Sequence, residues 1–287
     1  MHTLLNILVY GAVTSAIYAM LAVGFTLIFG VARVLNLAHG AFYGLGAYAA
    51  YVLTIDLHWP IFPAAVAAVL FVGAFGVVME RVLVRPLRHS ALAVLMITLA
   101  VSLLFEQAMF ILFGSQSRNV PSFVSYTLTY AGLDISGQRL LTLAVGIVVL
   151  IVLYAIIDGT RLGSAILAIS QDREAAQYMG IPINRMYSVV MGLSAAVAAV
   201  AGVLTAPFLT VQPTMGLLPM IKAFSIVIVG GLGSIPGSIL AALLLGYSET
   251  IVAYSPWPAA TEIVSLLAVL LTLILRPAGL LGKRAAF

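Results

Sequence analysis

The chain has 287 residues, of which 63% are apolar and only 8% charged, with no cysteine and a net charge of +4. One soluble core of this size cannot hide so much apolar surface, so a soluble globular protein is excluded. Disulfides, thiolate metal sites and cysteine nucleophiles are excluded as well.

Residues 1–32, 57–79, 140–157, 186–221 and 223–248 contain no Asp, Glu, Lys or Arg. About 20 such residues cross a bilayer as a helix. Helix is expected because no water at that depth satisfies backbone N–H and C=O groups. Eight hydrophobic segments follow: 4–29, 36–54, 60–80, 91–113, 140–157, 186–206, 220–250 and 260–276. The fold class is therefore an all-α polytopic membrane protein with about eight hydrophobic segments, including discontinuous half-helices, in one transmembrane domain over residues 1–287. No Lys or Arg precedes the first apolar run, which is too long for a signal-peptide core, so it reads as a retained first span.

Between the first two segments lie Gly30, Arg33, Asn36, His39 and Gly40, and glycines recur at 44 and 46. This reads as a broken segment with Asn36 and His39 as polar fasteners. Arg81, Arg85 and Arg88 then share one short linker. Ser, Thr, Gly and Tyr enrich 114–139, which is placed outside with a short hairpin. Arg161, Arg173 and Arg185 mark the longest polar loop, and Arg276, Lys283 and Arg284 the C-terminal tail. Short loops rich in Lys and Arg stay cytoplasmic, so these regions and the C-terminus are expected inside. The basic excess is thus topological and gives no sign of nucleic-acid binding.

Arg185 and Arg276 both lie inside, which requires an even number of crossings between them, yet three segments intervene. Segment 220–250 must cross twice or enter and return. Gly230, Gly231, Gly233, Pro236 and Gly237 in its middle break a helix. Interrupted segments in both halves of a chain point to a transport pathway near the midplane.

The loop 158–187 predicts a docking helix of about ten residues. Ser170 is the expected N-cap, with Asp172 and Glu174 in the first turn. Gly180 is expected at the C-terminal stop, followed by Pro182. Ala175, Ala176 and Met179 are expected to form a shallow apolar face for a partner's groove.

Five charges fall within or beside spans: Arg33, Glu106, Lys222, Glu249 and Glu262. Arg33 is expected either to anchor near an interface or to belong to the pathway, and Lys222 to anchor near an interface. Glu106 is expected to pair with an Arg of a neighbouring helix. Trp59, Tyr126, Tyr130, Tyr254 and Trp257 fit an outer aromatic belt. The histidines at 2, 39, 58 and 89 have no metal-ligand spacing. No Walker A sequence is present, and 230–237 lacks the Lys-Ser/Thr a phosphate loop needs. No Ser–His, paired-Asp or HExxH spacing for a membrane enzyme occurs in the spans.

Five elements in order resemble one family. They are Asn36-Leu37-Ala38-His39-Gly40, Pro86-Leu87-Arg88, Gln171-Asp172-Arg173-Glu174-Ala175-Ala176, Gly230-Gly231-Leu232-Gly233-Ser234 through Gly237, and Arg276-Pro277-Ala278-Gly279-Leu280-Leu281-Gly282. Over nearly its whole length the chain is similar to the LivH-type permease of branched-chain amino acid ABC importers. The resemblance implies a non-enzymatic permease that moves branched-chain or related hydrophobic amino acids inward by ATP-driven alternating access. Asp172, Arg173, Glu174, Ala175, Ala176 and Gly180 would couple it to the ATPase. Asn36, His39, Gly40, Gly230, Gly231, Gly233, Pro236 and Gly237 would belong to the translocation pathway. The chain itself would hold no cofactor or metal, ATP and magnesium residing on partners. Implied partners are a second, LivM-like permease, two cytoplasmic ABC ATPases, an extracytoplasmic amino-acid-binding protein and lipid of a bacterial or archaeal inner membrane. Two alternatives remain: a urea or short-chain amide import permease, and an ion-driven amino acid carrier.

Overall fold

A computed structural model describes residues 2–130 and 133–282. Lys283 and Arg284, expected in the cytoplasmic tail, lie outside the described residues. Twelve α-helices are described: α1 (His2–Ala32), α2 (His39–Tyr51), α3 (Ile61–Met79), α4 (Arg85–Leu87), α5 (Ala91–Phe113), α6 (Gly137–Gly159), α7 (Arg161–Gln171), α8 (Arg173–Tyr178), α9 (Ile183–Thr205), α10 (Leu217–Gly230), α11 (Ile235–Ala253) and α12 (Thr261–Leu275). Among the described residues, seven helices are long and apolar enough to cross a membrane. α2 and α10, at 13 and 14 residues, are shorter. At 1.5 Å per residue α10 reaches only about 20 Å of a roughly 30 Å hydrocarbon core.

Helix ends follow local chemistry. Ser90 Oγ accepts from Ala93 N at 3.3 Å to start α5, and Gly114 ends it at φ 74°. Ser234 Oγ accepts from Gly237 N at 3.2 Å to start α11, with Pro236 in the first turn, where a missing N–H costs nothing. π-helical turns at Val52–Asp56 and Glu80–Val84 extend α2 and α3.

The buried centre is built from α1, α2 and α9, with α11 against α1. Small residues set these contacts, because apolar side chains gain little by leaving lipid and close backbone approach supplies the attraction. On α9, Gly202 faces the Tyr43 carbonyl of α2, and Ala199 fills the space beside Gly46. On α11, Gly246 lies against Ser15 of α1. Thr26 and Ser238 hydroxyls bond at 2.6 Å, and Tyr43 and Thr205 at 2.7 Å. α3, α5, α6 and α12 carry most of their apolar surface outward, as lipid-facing helices do.

The bundle has two chemically distinct ends. At one, β1 (Thr127–Tyr130) and β2 (Leu133–Ser136) form the hairpin expected within 114–139. Arg118 pairs with Val211 there, Arg139 lies over Tyr10 and Phe208, and Tyr10 stacks on Tyr254. The exposed aromatic rings of Trp59, Tyr126, Tyr254 and Trp257 share this hairpin end. At the other end Arg88 bonds Asn184, and Arg81, Arg85, Arg173 and Arg185 surround one open groove of about 660 Å³.

Segment 220–250 resolves into α10 and α11, so four helices, α9 to α12, run alternately between the ends. That satisfies the even count. The expected pair of half-helices needs correction: only α10 is short, and α11 is a full span. Their junction lies at the arginine-rich end rather than halfway along, since Gly233 packs against Gly30 at the end of α1.

Candidate functional site

The arginine-rich end gathers most of the polar residues singled out in the sequence. Its projecting element is α8. Asp172 caps it, with Oδ1 accepting from Glu174 N at 2.9 Å and Ala175 N at 3.0 Å. Ser170 is not the cap: it lies in α7 and donates to Leu167 O at 2.7 Å. The helix therefore has six residues instead of ten. Gly180 follows at φ 83°, a conformation that favours glycine.

The expected apolar face also needs correction. Ala176 is buried in the chain's own core, while Ala175 and Met179 point outward. α8 therefore docks inward through Ala176 and displays Tyr178 and Met179, 89% and 83% exposed. Asp172, Arg173 and Glu174 are exposed beside them.

Two contacts tie this loop to the spans. The Arg33 guanidinium, at φ 50° just past α1, donates to Ser170 O at 3.0 Å. Arg33 thus grips the polar loop. The Tyr187 ring of α9 has the Arg88 guanidinium 3.9 Å from its centroid and that of Arg173 at 5.7 Å. Arg88 forms an ion pair with Glu80, whose other oxygen accepts from the Ser188 hydroxyl. Burial pushes the Arg88 guanidinium down to about 10; Tyr187 raises it and Arg173 lowers it. It remains a cation at neutral pH. A continuous polar contact thus runs from α8 through α9 to the π-helical turn before α5. Sequence reading gave Arg88 a topological role and a place in the Pro86-Leu87-Arg88 element, and missed Glu80, Tyr187 and Ser188. The available signal was Glu80, a lone acid closing an apolar run eight residues before Arg88.

The N-terminal interruption is a short re-entrant stretch. The chain turns back at Arg33, and α2 begins beside the Leu21–Gly24 turn of α1. Gly24 precedes Ala32 by eight residues, roughly 12 Å of helix. His39 is fully buried: Nε2 lies 3.0 Å from Leu21 O, and Nδ1 lies 3.3 Å from Ser194 Oγ, which donates to Gly24 O. Asn36 Oδ1 accepts from Ala38 N at 3.1 Å, and Nδ2 donates to Met191 Sδ at 3.4 Å. Gly40 meets the Gly216 carbonyl so closely that a Cβ would collide.

The second interruption is held by the tail. Leu280 N and Leu281 N donate to Val229 O and Gly230 O at 2.8 and 3.0 Å, satisfying carbonyls that the end of α10 leaves free. Gly231 at φ 103° lies against Gly279 and Gly282, and Gly230 against Gly237. Pro236 stands outside these contacts, in the first turn of α11. Thus 230–237 and 276–282, far apart in sequence, form one unit. The two sets of candidate pathway residues do not converge on one cavity. Gly40 lines a cavity near the middle of the bundle, and the later glycines form a junction at its arginine-rich end.

Two span charges depart from expectation. Lys222 is no surface anchor: it is buried and donates to Glu249 at 2.5 Å and Ser265 at 3.0 Å, with Tyr18 donating to Glu249 at 2.6 Å. Glu106 has no Arg partner among the described residues. Glu262 is exposed in the first turn of α12. Among the described residues no group of His, Asp and Glu could hold a metal ion.

The described residues thus form a multi-pass helical membrane bundle with two interruptions and a capped, exposed helix at one end. The chain belongs to the family described as the branched-chain amino acid transport system / permease component, whose model matches residues 7–275. It is 31% identical to the high-affinity branched-chain amino acid transport system permease protein BraD of Pseudomonas aeruginosa, covering 96% of this chain and 95% of BraD. It is 29% identical to the LivH permease protein of Escherichia coli, covering 95% and 94%. A probable LivH of Methanocaldococcus jannaschii is 31% identical, covering 93% and 89%.

Proposed function

We propose that this chain is the transmembrane subunit of an ABC importer that carries branched-chain or related hydrophobic amino acids into the cytoplasm. Residues 1–287 act as one permease domain, with 158–187 as its coupling loop. The observation that carries the reading is the position of α8. It is exposed at its tip and tied by Tyr187 to the Glu80–Arg88 turn, and the α7 end that leads into it is held by Arg33 beside α1, in a chain of this family.

Positive loops stay inside, so the end bearing Arg81, Arg85, Arg88, Arg161, Arg173, Arg185 and Arg276 faces the cytoplasm. The C-terminus is then cytoplasmic, and the hairpin meets an amino-acid-binding protein outside. ATPase subunits grip Tyr178, Met179 and the charges of the first turn. Their closure shifts α8, and Arg33 and Tyr187 pass the shift to α1 and α5. Hydrolysis itself belongs to the partners. A second permease completes the pathway in a bacterial or archaeal plasma membrane.

The test is leucine uptake into proteoliposomes holding the permease, its paralogue, two ATPases and the binding protein. Wild-type uptake requires ATP and ignores a protonophore. Glu174→Lys, which reverses charge at the α8 N-terminus, is expected to lower uptake at least tenfold and weaken ATPase co-purification. Uptake that survives omission of the ATPases and collapses with a protonophore contradicts the reading in favour of an ion-driven carrier. Uptake of urea instead of leucine contradicts the amino-acid assignment.

A further inference from the structure

Glu106 is the only charged residue of α5. The other two carboxylates buried in spans are paired, Glu80 with Arg88 and Glu249 with Lys222. Glu106 is half-buried, and no described side chain bonds to it. A lone charge in a span is unfavourable unless it faces a cavity or a partner, and such residues mark pathways.

A cavity lies there. It has a volume of about 180 Å³, lies between α2, α5 and the start of α10, and is open on the side where Leu99, Leu103, Leu217 and Ile221 are exposed. Its wall is mostly apolar, with Leu99, Leu103, Phe105 and Met220 contributing. Two hydroxyl residues, Ser102 and Thr214, also line it, and none of the lining residues is cationic. Gly40 and Gly44 form the α2 side; Gly40 lets α2 close directly against Gly216, while beside Gly44 the nearest atoms of Met215 and Phe105 stand at ordinary contact distance. The cavity therefore sits where α2 begins inside the bundle, and its rim at 213–217 leads toward the hairpin end.

We propose that this cavity is a transit site for a zwitterionic aliphatic amino acid, with Glu106 taking the ammonium group; the assignment rests on the importer reading above. The ligand's cation supplies the partner that Glu106 lacks. Its aliphatic side chain fills the Leu99, Leu103, Phe105 and Met220 surface, where apolar burial favours it. Ser102 and Thr214 hydroxyls donate to its carboxylate. α5 can open and close this site because it packs on the rest of the bundle chiefly through α2 and the Glu80–Leu87 segment leading into it, with one further bond from Leu37 N to Thr98 Oγ1. Glu80 at the start of that segment pairs with Arg88 just past its end, the pair reached from α8, so the site stands at the far end of the polar contact described above.

The test uses the complete reconstituted complex with saturating binding protein. Glu106→Gln is expected to reduce the leucine uptake rate about tenfold or more, and Glu106→Asp to restore most of it. Leu103→Trp, which narrows the cavity, is expected to depress leucine uptake while alanine uptake is largely kept. A merely structural role would move both substrates together. Assembly is followed by co-purification of the ATPases. Glu106→Gln complexes that assemble and import leucine at the wild-type rate overturn the site and leave the importer reading standing. Equal loss of leucine and alanine in Leu103→Trp also overturns it. Absence of any ATP-dependent amino acid uptake by the wild type overturns the importer reading and the site together.

Discussion

Lys222 and Glu249 show how position in sequence and position in space diverge. They are 27 residues apart, on α10 and α11, and meet with Ser265 and Tyr18 to join four helices. Removing one partner of a buried pair strands the other, at a cost of about 3–5 kcal/mol, whereas replacing both with apolar residues is often nearly neutral. Lys222→Met alone is therefore expected to lower the unfolding midpoint in detergent strongly, and Lys222→Met with Glu249→Leu much less. Equal loss in both would show that the pair is not the fastener. The sequence shows Lys222 at the head of an apolar run, which is also where an anchor would stand. Only the packing of α10 on α11 and α12 identifies its partners. Asn36 and His39 were legible as fasteners, because buried polar side chains in an interrupted span must find local acceptors. Glu80 was not, because its partners Arg88 and Ser188 converge only through a π-helical turn.

At the scale of elements, α8 depends on one cap. Asp172 accepts two backbone N–H bonds of a six-residue helix that is too short to persist alone. Asp172→Ala is expected to destabilise that helix by about 1 kcal/mol and to weaken ATPase co-purification. Asp172→Asn, which keeps the acceptor, should retain most of it; equal loss in both would point to the charge instead of the cap. The helix was visible in sequence from its acids and Gly180, but its start was set two residues early. Ser170 and Asp172 are both good caps, and α7, running unbroken to Gln171, excludes Ser170. The glycine break was equally visible, and its depth was not. Depth follows from α10 being short and from the tail at 278–282 closing over Gly231, neither of which a run of glycines reveals.

For the whole molecule, the alternation of apolar runs and arginine loops made the class, the approximate number of spans and the gathering of those loops at one end legible. What it left open was assembly: α1, α2 and α9 form the centre through small-residue contacts that composition does not rank. The resulting bundle keeps its interrupted spans inside and displays α8 at one end. Its absence of native cysteine lets a single introduced thiol report position cleanly. The most direct test places that thiol at Tyr178→Cys in the assembled complex and applies a short bifunctional cross-linker from the cytoplasmic side. The account predicts a covalent adduct with an ATPase subunit, and none from Tyr126→Cys at the hairpin end. Labelling of Tyr178→Cys by a membrane-impermeant maleimide added to intact cells, with no ATPase adduct, would contradict it.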